Sequence, residues 1–408
     1  MRFKFPLSCL PAPNDVVIGF AFAIVFAVVA LSGCSPTAPR TELGFQNTQL
    51  DWDIDQIRSH ITFLDGEEQE GRQTATRGFS KTAAYLSLGL RSFGLQPVLS
   101  GEYRFQYAAP VEVVSNATVI LTAADTVSLV HGRDFLVEPF SEAGTISADL
   151  ARLNMESGML RSDSLWLAIG DYSKKNEERH SASKPLAIHL SNSVLEKLES
   201  KGRGYSGRAI STVEKQSSIS TAPMHIAGFI AGANPVHRDS LTIVLAPADG
   251  FGLQGTWSWT DGSDSGASAA ALLEIARRVN LMQSRWSLSK RTIMIAFLSS
   301  TMVDCVGPKA FYRNLPWSKS QVASIQVIVP DISNSCEWQG ISGDAGISAP
   351  VFIHEWKAPV SLDDGLEGAR EFGDHYLRAT LLESDVLETT SEEVLQIAKT
   401  VVRSIYEQ

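Results

Sequence analysis

The chain has 408 residues, of which 44% are hydrophobic and 20% are charged, and its formal net charge at pH 7 is −10. These fractions are those of an ordinary globular protein and exclude a disordered or low-complexity chain. The acidic balance, without a dense stripe of Lys and Arg, argues against a nucleic-acid partner.

The N-terminus has the pattern of a bacterial lipoprotein signal peptide. Arg2 and Lys4 precede an apolar run over residues 16–31 that is too short to span a bilayer comfortably. The run ends in Leu-Ser-Gly-Cys, so residues 1–34 are predicted to be the signal peptide and Cys34 the acylated residue. An uncleaved anchor helix that ends by chance in a cysteine is the alternative.

Residues 35–50 are predicted to be a flexible tether between the lipid and the folded part of the chain. Pro36 and Pro39 lie in this stretch, and Ser35 directly follows the cysteine. A serine at that position, in place of aspartate, favours the outer membrane of a Gram-negative host. We therefore expect a protein anchored to the membrane through its N-terminal lipid, on the outer membrane facing the periplasm.

Two helices are predicted next, over residues 52–64 and 79–95, because apolar side chains recur there at helical spacing. Gly94 is predicted to end the second helix. Residues 103–135 alternate between apolar and polar side chains, a pattern typical of strands. Residues 51–136 are assigned to the first part of an α/β domain.

The composition changes between residues 137 and 222, where Ser, Glu, Lys and Arg dominate. Short strands are predicted at 165–169 and 186–190, and a helix near 194–198. This block is predicted to be a small inserted β-rich domain.

Residues 223–408 complete the α/β domain with alternating strands and helices. The predicted elements are strands at 226–230, 241–246, 292–298 and 325–329, and helices at 268–282 and 391–406, the last with a capping box of Thr390 and Glu393. Strands of continuous apolar residues separated by helices predict a mostly parallel mixed central sheet with helices on both faces. Ligands of such sheets bind beyond the carboxyl ends of the strands.

Several short motifs occur along the chain in a fixed order and spacing. They are the segments His-Ile-Thr-Phe-Leu at 60–64, Glu-Gly-Arg at 70–72, Thr-Ala-Thr-Arg-Gly at 74–78, Ala-Ala-Tyr-Leu at 83–86, Gly-Leu-Gln-Pro at 94–97, Ile-Ala-Gly-Phe-Ile-Ala-Gly at 226–232 and Ala-Ala-Ala-Leu-Leu-Glu-Ile-Ala-Arg at 269–277. In this order and spacing they resemble the secreted di-zinc aminopeptidases of peptidase clan MH, the group of aminopeptidases S and Y and of glutaminyl cyclases. The resemblance covers most of 52–108 and 224–330 and is weaker beyond. It implies a metallopeptidase fold with two zinc ions bridged by a carboxylate and a glutamate as general base.

The metal site that the resemblance implies is degenerate in this sequence. The first ligand histidine aligns with Pro247, and the two glutamates align with Thr301 and Met302, of which one would be the base and the other a ligand. A further ligand aspartate aligns with Ile328, although Asp331 is three residues away. None of the four aligned side chains offers the donor that the zinc chemistry needs.

Three residues keep the character that the implied site requires. Asp249 aligns with the aspartate that orients the lost histidine, Asp264 with the bridging aspartate, and His375 with the last ligand if a small gap is allowed. Each also has an ordinary structural interpretation: Asp249 and Asp264 as hydrogen-bonding residues of turns, and His375 as a solvated histidine. No metal or other cofactor is therefore expected, and zinc is expected only if the site is rearranged.

Two cysteines remain after the signal peptide and the lipidated Cys34 are set aside. Cys305 and Cys336 each follow a predicted strand of the sheet. In an oxidising periplasm they would form a disulfide at the rim of the site, and two unconnected buried thiols are the alternative.

Two classes of function follow. The first is a catalytically inactive binding or scaffolding protein on a peptidase fold, a pseudoenzyme, with a peptide or protein ligand in the cleft or on the inserted domain. Trp257 and Trp259 flank the cleft and are candidates to stack on that ligand or to pack against the loop. The second is an active metallo-aminopeptidase with a rearranged metal site.

Overall fold

The computed structural model describes residues 52–99, 101–109, 111–122, 126–137, 143–149, 159–161, 165–168, 186–190, 194, 208–217, 222–250, 252–254, 257–259, 265–286, 290–301, 305–330, 336–356 and 384–407. The signal peptide, the tether, Cys34 and the helix near 194–198, apart from one residue, lie outside this part of the chain. The elements below belong to one unit, Asp53–Gln408.

Six α-helices and two 3₁₀ helices lie among the described residues. They are α1 (Ile54–Leu64), the 3₁₀ helix Glu67–Arg72, α2 (Arg77–Ser92), α3 (Ser265–Trp286), α4 (Val306–Arg313), the 3₁₀ helix Lys319–Gln321, α5 (Trp338–Asp344) and α6 (Ser384–Glu407). The helices that were predicted at 52–64, 79–95 and 268–282 are confirmed within a few residues. None of the helices in the described ranges has the length and apolar character needed to cross a bilayer.

A seven-stranded sheet forms the centre of the fold. Its strands are β1 (Gln96–Pro97), β2 (Arg104–Gln106), β11 (Met224–Ile230), β12 (Leu241–Pro247), β15 (Thr292–Leu298), β16 (Val322–Pro330) and β17 (Val351–Trp356). The order is β1-β11-β15-β12-β16-β17, and β2 also pairs with β11. The pairs β12–β15, β12–β16 and β16–β17 are parallel, whereas β11 is antiparallel to its neighbours. The predicted mixed and mostly parallel sheet is confirmed.

Both faces of the sheet are covered at the central strands β12 and β15, which are buried at every position, and this explains why they are almost wholly apolar. Successive side chains of a strand point to opposite faces. On one face, Ile243 and Val327 join a core with Phe311 of α4 and Trp338 of α5. Against the other face lie α3 and α6. The prediction of helices on both faces is therefore correct.

The remaining described strands form smaller sheets. They are β3 (Glu112–Thr122), β4 (Thr126–Leu129), β5 (Phe135–Val137), β6 (Gly144–Asp149), β7 (Met159–Arg161), β8 (Leu165–Ala168), β9 (Leu186–Leu190), β10 (Arg208–Ser217), β13 (Gly252–Gln254) and β14 (Trp257–Trp259). One sheet has the order β4-β3-β10-β6, another β5-β9-β8-β7, and β13 pairs with β14. Because β3 and β4 pair within the same sheet as β10, this second β unit takes strands from both sides of position 137. The domain boundary at 137–222 stays a prediction.

The ends of two helices test the local predictions. At the end of α2, Gly94 has a φ of +80°, the left-handed conformation that ends helices, as predicted. The prediction that a capping box of Thr390 and Glu393 begins the last helix is wrong, since α6 begins six residues before Thr390, at Ser384. Thr390 is only 1% exposed and lies within the helix, where its backbone N–H belongs to the helical ladder. The motif also occurs inside helices, and tertiary packing decides where the helix begins.

Candidate functional site

Four of the predicted site positions, Pro247, Asp249, Thr301 and Ile328, lie where three neighbouring strands of the central sheet end. Pro247 is the last residue of β12 and is in register with Leu298, the last residue of β15. Asp249 and Thr301 follow these two strands, and Ile328 lies near the end of β16. The parallel arrangement therefore brings these residues to one edge of the sheet, where ligands of α/β proteins bind.

Asp249 is held by a buried set of hydrogen bonds. Its Oδ1 accepts from the hydroxyl of Thr301 at 2.5 Å, and its Oδ2 accepts from the backbone N–H of Thr301 at 3.1 Å. The hydroxyl of Thr74 donates to the same Oδ2 at 3.0 Å. Only 2% of Asp249 is exposed. The carboxylate therefore serves to fasten the segments that contain Thr74 and Thr301 to the end of β12.

The burial of this carboxylate changes its acidity. Burial raises the pKa of Asp249 to about 6, although the hydrogen bonds from Thr301 and Thr74 favour the charged form and act in the opposite direction. Desolvation thus outweighs the hydrogen bonds. Asp249 is charged at neutral pH and becomes neutral in mild acid.

A second group of polar side chains continues from this network. Thr74 accepts the backbone N–H of Ser300 at 2.8 Å. The hydroxyl of Tyr107 donates to Ser300 Oγ at 2.7 Å and lies 2.9 Å from Ser299 Oγ. His225 Nδ1 accepts the backbone N–H of Ser299 at 3.2 Å, and its ring stacks on Tyr107 with centroids 4.3 Å apart. We call the seven residues Thr74, Tyr107, His225, Asp249, Ser299, Ser300 and Thr301 the polar cluster.

His225 and Tyr107 are neutral members of the polar cluster. His225 is fully buried, and burial lowers its pKa to about 3. Burial also raises the pKa of Tyr107 to about 12. Since a backbone N–H donates to Nδ1, the proton of the neutral imidazole resides on Nε2. Neither residue was predicted, although a single histidine at the start of the apolar strand 224–230 was a detectable signal.

The segment Glu-Gly-Arg at residues 70–72, one of the motifs that carry the family resemblance, has a structural role. Arg72 donates from Nη1 to the carboxylate of Asp65 and to the carbonyl of Leu64, both at 2.5 Å, and both charged side chains are 1% exposed. Gly71 faces Gly252 of β13 so closely that a Cβ would lie 2.5 Å from the Gly252 carbonyl oxygen. This segment therefore connects α1 to the β13–β14 hairpin, next to Thr74.

The two cysteines are bonded to each other at the same edge of the sheet. Cys305 precedes α4, Cys336 follows β16, and their Cα atoms are 5.7 Å apart. Of the two alternatives that the sequence left open, the structure contains the disulfide. It lies beside Thr301, whose carbonyl oxygen is 3.8 Å from Cys305 Sγ and 3.7 Å from Cys336 Sγ.

The described residues that the sequence resemblance aligns with metal ligands do not have the side chains that a di-zinc centre needs. Pro247 has no donor atom, Thr301 offers a neutral hydroxyl that donates to Asp249, and Ile328 is a fully buried hydrocarbon. Asp264, Met302 and His375 lie outside the described residues. Within the described ranges there is no group of three or more His, Cys, Asp or Glu side chains arranged to hold a metal ion.

Comparison with solved structures identifies relatives in fold. BSAP, a zinc aminopeptidase from Bacillus subtilis, matches with a TM-score of 0.55 and 13% identity over 88% of this chain and 96% of its own. A medium-resolution structure of the same enzyme matches with a TM-score of 0.51 and 12% identity over the same shares. The peptidase M28 precursor from Shewanella amazonensis SB2B gives a TM-score of 0.48 and 14% identity over 87% of this chain and 97% of its own. No family model and no curated protein matches this sequence.

The fold is therefore that of a zinc aminopeptidase. This confirms the fold that the sequence resemblance implied. At 13% identity the comparison concerns the fold, and the chemistry has to be argued from the residues at the strand ends.

Proposed function

We propose that this protein is a lipid-anchored protein of the bacterial envelope that uses a zinc-aminopeptidase fold to bind a peptide or protein ligand without hydrolysing it. The observation that carries the proposal is the contact between Thr301 and Asp249. By resemblance, Thr301 takes the place of one of the two glutamates. A hydroxyl that donates to a carboxylate does not accept a proton at neutral pH.

The ligand would bind beyond the carboxyl ends of β12, β15 and β16, next to the hydrogen-bonded polar cluster. The β13–β14 hairpin packs against the 3₁₀ helix Glu67–Arg72 and contains Trp257 and Trp259. Aromatic side chains supply a large apolar contact area with a polar tip, which suits the backbone and apolar side chains of a peptide.

An active metallo-aminopeptidase with a rearranged site is the second candidate. The observation in its favour is the extent of the fold match, which spans 88% of this chain and 96% of a zinc aminopeptidase. In that case Asp264 would bridge two zinc ions, and Asp331 or His375 would complete the site.

Metal analysis and an activity assay on the same preparation distinguish the two candidates. The full chain, purified in detergent, is incubated with zinc, dialysed, analysed for metal and assayed with leucine and alanine anilides beside an active zinc aminopeptidase. We expect less than one zinc per chain and no turnover, because loss of the base alone removes about 10²–10⁴ in rate and the ligand positions are changed as well.

The contrary result would be two tightly held zinc ions with turnover that Asp264→Asn abolishes. Asp239 is exposed, so Asp239→Asn is the matched control for the loss of one carboxylate. If turnover falls only in the Asp264 variant, the protein is a hydrolase.

The anchor has its own test. Because acylation needs the thiol of the last residue in Leu-Ser-Gly-Cys, Cys34→Ala is expected to accumulate as a precursor that takes up no labelled fatty acid. Cys9 lies before the apolar run, and Cys9→Ala is the control, expected to be labelled like the wild type. Normal labelling of the Cys34 variant would contradict the lipoprotein assignment.

A further inference from the structure

The disulfide connects the segments that follow β15 and β16, the two strands that flank β12 in the sheet. Cys305 lies between β15 and α4, and Cys336 lies between β16 and α5, at a sequence separation of 31. Both cysteines are 6% exposed. A covalent link between these loops restrains the strand ends at which the polar cluster is assembled.

The contacts of Thr301 connect the disulfide to Asp249. The carbonyl oxygen of Thr301 lies within 3.8 Å of both sulfur atoms, while its N–H and hydroxyl donate to Asp249. Thr301 therefore lies between the covalent link and the buried carboxylate, and its position depends on both.

The backbone around Thr301 needs such restraint. Ser300 and Cys305 have φ values of +50° and +51°, in the left-handed region that non-glycine residues adopt at a cost. Such conformations persist where the surrounding structure enforces them. The N–H of Gly307 donates to the carbonyl of Ser300 at 3.0 Å, and the disulfide fixes the residue two positions before Gly307.

We propose that the Cys305–Cys336 disulfide locks the loop after β15 against the end of β12, so that the Asp249 network is held by a covalent link in place of a metal ion. The final clause rests on the proposed function. The locking itself does not rest on that proposal, because it follows from the disulfide and from the contacts of Thr301. The device is sensitive to redox state, since reduction removes the covalent link between the residues that follow β15 and β16.

Reduction of this bond is a two-electron, two-proton step. A dithiol such as dithiothreitol attacks one sulfur as the thiolate, forms a mixed disulfide, and closes to its own cyclic disulfide, which leaves two protein thiols. Because both cysteines are nearly buried, we expect slow reduction of the native protein.

Native-state hydrogen exchange measures the locking directly. The full chain is compared before and after reduction, and mass spectrometry of alkylated peptides verifies the state of Cys305 and Cys336. We expect the amides of Ser300 and Thr301, which donate to Thr74 and Asp249, to exchange on the order of 10–10²-fold faster after reduction. The amides of the β3–β10 pair, in a different sheet, are the internal control and should not change.

The double variant Cys305→Ala, Cys336→Ala should reproduce the exchange of the reduced protein. If it does not fold, reduction of the folded wild type still gives the result. Unchanged exchange at Ser300 and Thr301, or an equal increase at all amides, would overturn the proposal. Two free thiols at Cys305 and Cys336 in the unfolded, unreduced protein would overturn it as well.

A parallel experiment with a metal chelator tests the proposed function separately from the role of the disulfide. Addition of EDTA to the oxidised protein is expected to leave exchange at Ser300 and Thr301 unchanged. Acceleration by EDTA would contradict a metal-free network, whereas acceleration by reduction alone supports both proposals.

Discussion

Lowering the pH from 7 to 4 is expected to decrease the free energy of unfolding of the wild-type protein by about 3 kcal/mol more than that of the variant His225→Asn. Burial lowers the pKa of His225 from 6.5 to about 3, so at pH 4 the unfolded chain binds a proton that the folded chain does not. The stability that the neutral histidine contributes is therefore complete above pH 6.5 and is lost as the pH falls toward 3. Urea titrations at several pH values measure the difference.

Because the wild type and the His225 variant contain the same other titrating groups, the effects of those groups on stability cancel in the comparison. Burial lowers the pKa of His60 to about 4, which acts in the same direction, whereas the raised pKa of Asp249 acts in the opposite direction and favours the folded state in acid. Both remain in the His225 variant. Tyr107, which stacks on His225, has a pKa of about 12 and stays neutral.

The variant His225→Asn keeps an acceptor for the Ser299 N–H, and the exposed His237→Asn provides the matched control. We expect the control to lose stability in acid as the wild type does. If the wild type and His225→Asn had parallel pH profiles, the histidine would be solvated or charged in the folded state.

Replacement of Gly307 by alanine is expected to destabilise the protein by about 3 kcal/mol or more. A Cβ at this position would lie 1.6 Å from the carbonyl oxygen of Ser299 and 3.2 Å from Cε1 of His225. The first contact is with backbone, which cannot rotate away, so α4 or the end of β15 would have to move. Thermal and urea unfolding monitored by circular dichroism measure the loss.

Gly343 supplies the matched control for this substitution. It lies in the short helix α5, and a Cβ there would have no neighbour within 4 Å. Gly343→Ala is therefore expected to be neutral or stabilising by up to about 1 kcal/mol, because alanine has the higher helix propensity. Equal stabilities of the two variants would show that α4 does not pack on Ser299 as closely as the structure has it.

The strands of the central sheet could be predicted because their burial imposes a simple pattern. The segments 241–246 and 292–298 are apolar except for Thr242 and Thr292, and the structure places strands at Leu241–Pro247 and Thr292–Leu298. The start of α6 could not be predicted from the capping motif, because the burial of Thr390 depends on packing against other elements. Similarly, alternation in residues 103–135 indicated strands, but not that Glu112–Thr122 would pair with Arg208–Ser217.

For the candidate site, the sequence by itself determined what three side chains can donate. Pro247, Thr301 and Ile328, which the resemblance aligns with metal ligands, carry no imidazole or carboxylate whatever the tertiary structure, since side-chain chemistry belongs to the residue. Cys305 and Cys336 were identified as possible partners, but only the chain path between β15 and β16 brings their Cα atoms to 5.7 Å.

Only the tertiary structure decided that Thr74, Tyr107 and His225 converge on Ser299, Ser300 and Thr301. These residues are far apart along the chain, and no periodicity or motif connects a hydroxyl near residue 74 with an amide at residue 300. Hydrogen bonds act over about 3 Å, so the network exists only once the parallel strands have placed their ends side by side. Local patterns determine which segments form strands and helices, whereas the packing of those segments determines which polar groups meet.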